Sequence, residues 1–163
     1  MKLSVLVPTL NRKDYLKVTL EKLLPQIKRN SNNVELVLSI NASNDDTFTF
    51  INQLNTENNN LIKIKNFSKR VGICESFSRS IELCKGEFII IFGDDDIPAP
   101  FLVETILNEI ELNANVGLFH FNRLVASDIN FTQMQKMRVE QFDFSSTHLN
   151  YELSDFIEKY TIS

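Results

Sequence analysis

The stretch FIIIFGDDD at Phe88–Asp96 decides the fold of this chain. Its apolar residues are all β-branched or aromatic, which is typical of a strand buried on both faces. The strand ends at Gly93, and three adjacent carboxylates follow. Two carboxylates about 4 Å apart repel each other by about 4 kcal/mol at an effective dielectric constant of about 20. Because a hard divalent cation would turn that repulsion into ligation, the stretch predicts a metal site at the end of a buried strand.

The composition of the 163 residues predicts one globular domain. The net charge of −4 argues against a nucleic-acid partner, because nucleic-acid-binding surfaces carry an excess of Lys and Arg. No apolar stretch approaches the length of about 20 residues that spans a bilayer, and the first residues lead into a strand rather than a signal peptide. We therefore expect no transmembrane segment and a cytoplasmic location.

Strand-like and helix-like segments alternate along the chain. The predicted strands cover residues 3–7, 34–40, 61–64, 88–92 and 116–121. Helices are predicted between them: the first capped by Asn11 and kinked or shortened by Pro25, the second over 45–54, the third ended by Gly86, and the fourth with Pro98 and Pro100 in its opening turn. The third helix has apolar residues on one face, namely Ile73, Phe77, Ile81 and Cys84. Alternation of this kind implies βαβ units and a mostly parallel sheet, so the predicted fold is α/β and Rossmann-like, with three α/β/α layers.

The acidic triplet follows a strand, and parallel sheets bind ligands at that edge. In an extended backbone Asp94 and Asp96 point to the same side, which makes them the candidate pair of metal ligands, whereas a turn at this point would reverse the choice. The alternative interpretation of the three carboxylates is a solvated turn that binds no metal. An EF-hand loop is excluded because Pro98 occupies its fifth position. The turn after the first strand matches neither the G-x-G-x-x-G nor the P-loop pattern, so a dinucleotide-binding domain and a P-loop NTPase are not expected.

Three blocks of sequence carry a family resemblance: LSVLVPTLNR at residues 3–12, NASNDDT at 41–47, and GEFI at 86–89 leading into GDDD. In order and spacing, over roughly residues 3–122, they resemble family 2 glycosyltransferases of the GT-A fold. The resemblance implies a nucleotide-diphospho-sugar donor, inverting transfer to a hydroxyl acceptor, and a divalent metal, Mn²⁺ or Mg²⁺.

The residues that the resemblance assigns to the donor lie at the ends of predicted strands and before the third helix: Pro8, Thr9, Asn11, Arg12, Asn41, Arg70, Gly72, Asp94 and Asp95. The first four would line the nucleoside pocket, and Asn41 would lie beside the base or ribose. For Arg70, a solvated loop charge is an equally good interpretation. Asp96 would be the principal metal ligand.

The resemblance divides the chain into a donor-binding part, 1–122, and the start of an acceptor-side segment of the same domain, 123–163, with the fold incomplete at the C-terminus. A saccharide or lipid-linked saccharide acceptor is expected, which is compatible with peripheral association at the inner face of a membrane; a homo-oligomer stays open. The catalytic base is unassigned, because the later carboxylates match no motif: Asp128, Glu140, Asp143 and Asp155. Ile40 stands where the family often carries an Asp. Two rivals remain, a non-catalytic module of the same fold and an Mg²⁺-dependent phosphotransfer domain.

Overall fold

The computed structural model of this chain describes residues 1–119. Four parallel strands form one sheet in the order β3-β2-β1-β4, with the bounds β1 Leu3–Thr9, β2 Val34–Ile40, β3 Ile62–Asn66 and β4 Phe88–Ile91. The helices are α1 Lys13–Arg29, α2 Thr47–Glu57, α3 Ile73–Ile81 and α4 Leu102–Leu112. The chain divides into two units, Met1–Leu112 and Asn113–Ser163. All of these elements belong to the first unit.

The central position of β1 brings three strand ends together. β1 pairs with β2 on one side and with β4 on the other, and both β1 and β2 are buried along most of their length. The strand was predicted to stop before Pro8, but it continues to Thr9. Pairing with β4 ends at Leu6, so Pro8 faces only β2, and a residue without an N–H is tolerated where one neighbour is missing.

The helices lie on both faces of the sheet. Parallel crossovers are right-handed, and β1-α1-β2 and β2-α2-β3 step in the same direction along the sheet. The β3-α3-β4 crossover runs in the reverse direction, past β2 and β1. A right-handed crossover in that direction places α3 on the opposite face from α1 and α2. α4 lies beside α1, where Arg29 Nε donates a 3.0 Å hydrogen bond to Glu104 Oε1. The predicted three-layer α/β/α architecture is confirmed for this unit.

The prediction that β4 is buried on both faces was wrong. Ile89 and Ile91 are 39% and 48% exposed, because in the described part of the chain β4 is an edge strand that pairs only with β1. The predicted apolar face of α3 is likewise not its packing face. Ser76 and Ser80 are buried instead, while Ile73 and Ile81 are exposed. Small serines allow this short helix to lie close to the sheet, where Ser80 Oγ contacts Ser39 Oγ of β2.

Several predicted boundaries moved. α1 has Arg12 rather than Asn11 at its N-cap, and Pro25 lies inside it without shortening it, flanked by the buried Leu23, Leu24 and Ile27. α4 begins at Leu102, after both prolines. Gly86 does not end α3; a Cβ on it would lie 2.4 Å from the main-chain nitrogen of Ser4, so glycine is required by close approach to β1.

The second unit is described only over residues 113–119. Residues 116–119 form no part of the strand predicted over 116–121, and Gly117 inside that run weakens a strand. Positions 120 and 121 and the four later carboxylates, Asp128, Glu140, Asp143 and Asp155, lie outside the described residues. The predicted division at 122/123 therefore stays a prediction.

Candidate functional site

A buried carboxylate lies at the junction of β1 and β4. Asp94 is only 6% exposed. Its Oδ2 accepts a 2.8 Å hydrogen bond from Thr9 Oγ1, and its Oδ1 accepts a 3.0 Å bond from Arg12 Nη1. Because a buried charge is costly unless it is paired and hydrogen-bonded, these two contacts explain how the turn keeps Asp94 inside.

Arg12 joins the two first acids of the triplet. Its Nη1 lies 3.0 Å from Asp94 Oδ1 and 3.0 Å from Asp95 Oδ2. The hydrogen bond and charge of Asp94, followed by those of Asp95, raise the pKa of Arg12 above its ordinary value. The guanidinium is therefore a fixed positive charge at the carboxyl ends of β1 and β4.

The outer part of the acidic turn is open to solvent. The Asp95 side chain is 44% exposed, and Asp96 is exposed as well. Asp96 Oδ2 accepts a 3.2 Å hydrogen bond from the Gly93 N–H, and the Asp96 N–H donates to the Gly93 carbonyl at 3.3 Å. These bonds close the turn and leave carboxylate surface that an incoming cation can reach.

The donor set of this turn fits Mn²⁺ or Mg²⁺. Both ions bind carboxylate oxygen, and Mg²⁺ in particular keeps several waters and takes one or two protein carboxylates together with phosphate oxygens. Over residues 1–119 no group of three or more His, Cys, Asp or Glu side chains could enclose a metal. An open site completed by a phosphorylated ligand agrees with both observations.

The turns after β1 and β2 are bound to each other through Asn11. The Asn11 N–H donates to Ser43 Oγ at 2.9 Å, and Asn11 Oδ1 accepts from the Asn44 N–H at 2.8 Å. Asn11 has a left-handed backbone with φ of 54°, which asparagine adopts more readily than most residues. Asn11, which was predicted to line a nucleoside pocket, thus holds the turn after β1 against the turn after β2.

A cleft of about 300 Å³ opens between these two turns. That volume is at the lower end for small-molecule sites. The Arg12 guanidinium lies 5.4 Å from the Tyr15 ring centroid, within the range of a cation–π contact. Burial would raise the pKa of Asp45, but main-chain hydrogen bonds, among them a 3.1 Å bond from the Thr47 N–H, outweigh it and hold that pKa below its ordinary value. The cleft is lined by Asn11, Arg12, Lys13, Asp14, Tyr15, Asp45 and Asp46.

Asn41, at the end of β2, is bound to the segment before α3. Its Nδ2 donates to the Val71 carbonyl, and its Oδ1 accepts from the Val71 N–H, both at 3.0 Å. Arg70 and Gly72, on either side of Val71, are exposed. Gly72 is the N-cap of α3, and a Cβ there would meet open space.

The structure thus brings Thr9, Arg12, Asp94 and Asp95 into one network. Asn11 joins the neighbouring turns, Asn41 fixes the Arg70–Gly72 segment, and Pro8 contributes backbone in β1. The donor-binding and metal-binding roles of these residues stay predictions.

Several residues at or near this network were not predicted from the sequence. Tyr15 lines the cleft, while Thr19 and Gln26 are buried on α1 and hydrogen-bond to the chain between Asp94 and Val103. A signal for the last two was present, because both are polar residues on the otherwise apolar face of α1.

Two curated proteins and one solved structure show what the chain resembles. It is 31% identical over 118 residues to the abequosyltransferase RfbV of Salmonella typhimurium, covering 72% of this chain and 35% of that protein. It is 28% identical over 135 residues to a GalNAc(5)-diNAcBac-PP-undecaprenol β-1,3-glucosyltransferase of Campylobacter jejuni, covering 81% and 41%. The chain therefore spans less than half the length of either protein.

The fold is that of GT-A glycosyltransferases. The mannosyltransferase PcManGT from Pyrobaculum calidifontis, solved in complex with GDP-Man and Mn²⁺, superposes with a TM-score of 0.60 at 21% identity, over 70% of this chain and 32% of that one. At that identity the likeness shows the fold alone. In the described part of the chain no helix is both long and apolar enough to cross a membrane. The model of glycosyl transferase family 2 matches residues 4–161, which is nearly the whole chain, and the protein therefore belongs to that family.

Proposed function

We propose that this chain binds a nucleotide-diphospho-sugar and forms the donor side of an inverting, metal-assisted glycosyltransferase. One observation carries the proposal: Arg12 lines the cleft between the first two turns and also bonds to Asp94 and Asp95. A nucleoside in the cleft would therefore place its diphosphate toward the exposed acids.

Each part of the donor would meet a different set of residues. The cleft beside Asn11 and Tyr15 would take the nucleoside. Arg12 would bring positive charge toward the diphosphate. Arg70, exposed beside the Val71 contact, would add a second positive charge from the other side of β2.

A divalent cation would bind at Asp96 rather than at Asp94. Asp94 is buried and already bonded to Thr9 and Arg12, whereas Asp96 is exposed at the tip of the turn. When bound, Mn²⁺ or Mg²⁺ neutralises negative charge that develops on the diphosphate leaving group. Asp94 would keep Arg12 in place beside the diphosphate, and Asp95 would restrain the same guanidinium.

Membership of family 2 and the names of the relatives, one of which names an undecaprenol-linked saccharide, support sugar transfer to a saccharide or lipid-linked saccharide. Assembly of a surface polysaccharide is the process that we propose for it. A general base would remove the proton of the acceptor hydroxyl as it attacks the anomeric carbon. Within residues 1–119 we assign no residue to that role.

Calorimetry of the 163-residue chain with UDP, GDP and dTDP, each with and without Mn²⁺, tests the proposal. We expect one diphosphate to bind, and to bind only weakly without the metal. Asp96→Asn keeps an acceptor for the Gly93 N–H but loses the charge, so affinity in Mn²⁺ should fall about tenfold or more.

Glu87→Gln is the matched control. It removes one exposed carboxylate at the opposite end of β4, where Glu87 pairs with Lys2 at 3.0 Å, and it should leave affinity unchanged. Failure of all three nucleotides to bind, or binding indifferent to Mn²⁺, would contradict the proposal.

A non-catalytic module of the same fold is the second candidate. Ile40 is fully buried where the family often has an acid, and the neighbouring Asn41 side chain is bonded to Val71, so neither of these β2-end side chains is free to bind a nucleoside. Donor hydrolysis or transfer by a chain extended past Ser163 separates the two. A folded, nucleotide-binding but inactive extended chain would favour this rival.

A further inference from the structure

Two polar side chains lie on the buried face of α1. Thr19 is 1% exposed and Gln26 is 2% exposed, and they are separated by about two helical turns. Their neighbours on that face are Leu16, Leu20, Leu23, Leu24 and Ile27. Because a buried polar group is costly without a hydrogen-bond partner, each of the two must be accounted for by what it bonds.

Thr19 binds the acidic turn. Its Oγ1 lies 3.0 Å from the carbonyl oxygen of Asp94 and 2.8 Å from that of Asp96. A hydroxyl has one proton, so it is shared between the carbonyls on either side of Asp95. This bond fixes the main chain of the turn to the buried face of α1, while the side chains of Asp95 and Asp96 remain exposed to solvent.

Gln26 does the same for the segment that follows. Its Nε2 donates to the Ala99 carbonyl at 2.8 Å, and its Oε1 accepts from the Val103 N–H at 3.1 Å. These bonds fix the start of α4 and do not involve the acidic turn. Gln26 is therefore a matched comparison for Thr19: the same helix face and the same burial, but different partners.

We propose that Thr19 is a positioning residue for the diphosphate–metal end of the donor site. It holds the carbonyls of Asp94 and Asp96 so that the Asp96 carboxylate faces the incoming metal and the Asp94 carboxylate faces Arg12. Thr19 itself touches neither donor nor metal. The inference rests on the donor binding proposed above.

Thr19→Val and Thr19→Ser separate the hydroxyl from its packing. Valine replaces the hydroxyl with a methyl group of similar size, whereas serine keeps the hydroxyl and lacks the methyl group of threonine. Titrations with the nucleoside diphosphate in Mn²⁺ and with the corresponding free nucleoside then divide the site into its two ends. We expect Thr19→Val to weaken the diphosphate in Mn²⁺ about tenfold while nucleoside affinity stays within about twofold. Thr19→Ser should keep both affinities within about twofold of wild type.

Gln26→Leu should lower the melting temperature and leave the diphosphate affinity within about twofold. If Thr19→Val does not fold, Thr19→Cys, a weaker donor, should give an intermediate loss that is confined to the diphosphate. Wild-type affinity in Thr19→Val, an equal loss for nucleoside and diphosphate, or a loss in folded Thr19→Ser would each overturn the inference. A wild-type chain that binds no nucleotide would instead refute the proposed function, and the inference with it.

Discussion

Asn41 and Val71 exchange two hydrogen bonds of 3.0 Å, from the side-chain amide of one to the main chain of the other. The Asn41 N–H also donates to the Thr9 carbonyl at 3.0 Å. Asn41 thus connects the end of β1, the end of β2 and the segment before α3. Arg70 and Gly72 flank Val71, so this contact fixes the segment that carries them.

Asn41→Ala should destabilise the chain by about 1–2 kcal/mol, because it removes two hydrogen bonds of a side chain that is only 8% exposed. Urea unfolding followed by circular dichroism measures the change. Asn52→Ala is the control: Asn52 is exposed in α2, where alanine is the better helix former, so stability should stay equal or rise slightly. Equal losses for the two variants would argue against the contact.

Ala42 has a left-handed backbone with φ of 55°, which costs an alanine roughly 1–2 kcal/mol. Ala42→Gly removes that strain from the folded chain. Glycine also gives the unfolded chain more conformational freedom, which offsets part of the stabilisation. We expect a net stabilisation of about 1 kcal/mol, or a melting temperature higher by about 2–4 °C.

Ala99→Gly is the control, for which we expect the opposite change in stability. Ala99 does not have a positive φ, so glycine relieves no strain there. It only gives the unfolded chain more conformational freedom and should destabilise the protein by about 0.5–1 kcal/mol. A fall in melting temperature for Ala42→Gly would show that the left-handed conformation carries no strain.

The sequence predicted what depends on local pattern. The apolar runs that predicted strands at β1 and β2 do form strands, and both are buried on both faces because they lie inside the sheet. The same kind of run in β4 was misread, since a run of isoleucines does not reveal that its strand lies at the edge of the described sheet.

For the site, likewise, residues in local motifs were predicted from the sequence, whereas the contacts among them were not. Thr9, Arg12 and Asp94 were named from motif blocks, but the bonds among them join residues more than 80 positions apart, and the strand order that brings them together has no local signature. Thr19 was passed over because one threonine in a leucine-rich stripe has little effect on the helical pattern, although its burial is what requires a partner.

Glu35 should make stability depend on pH. Burial would raise its pKa, but hydrogen bonds from Ser4, from the Lys85 N–H and from Lys63 outweigh it and hold the pKa below its ordinary value of 4.5. The unfolded chain therefore binds the proton more readily than the folded one. The stabilisation is fully present above about pH 4.5 and is lost as the pH falls through the lower pKa of the folded state.

Glu35→Gln should cost about 1–3 kcal/mol at pH 7, because the carboxylate accepts bonds of 2.6 Å from Ser4 Oγ and 3.0 Å from Lys63 Nζ. Its difference from wild type should narrow below about pH 4.5, as measured by urea unfolding across pH 3.5–7. Glu21→Gln, at an exposed position on α1, should follow the wild-type curve. A difference that is constant with pH would mean that the charge of Glu35 is not what stabilises this end of the sheet.

The bond from Thr9 to Asp94 should appear as a coupling energy between two mutations. Thr9 is 4% exposed and its hydroxyl lies 2.8 Å from a buried carboxylate, so this is a charge-assisted hydrogen bond that water does not replace. In a double-mutant cycle of Thr9→Val and Asp94→Ala, we expect the double variant to lose about 1–2 kcal/mol less free energy of unfolding than the sum of the two single-variant losses. The pair Thr9→Val and Glu35→Gln shares no partner and should be additive within about 0.5 kcal/mol. Additivity in the first cycle as well would mean that Asp94 is held by Arg12 alone. In that case Asp94 would be freer to turn toward a metal than the geometry of the site implies.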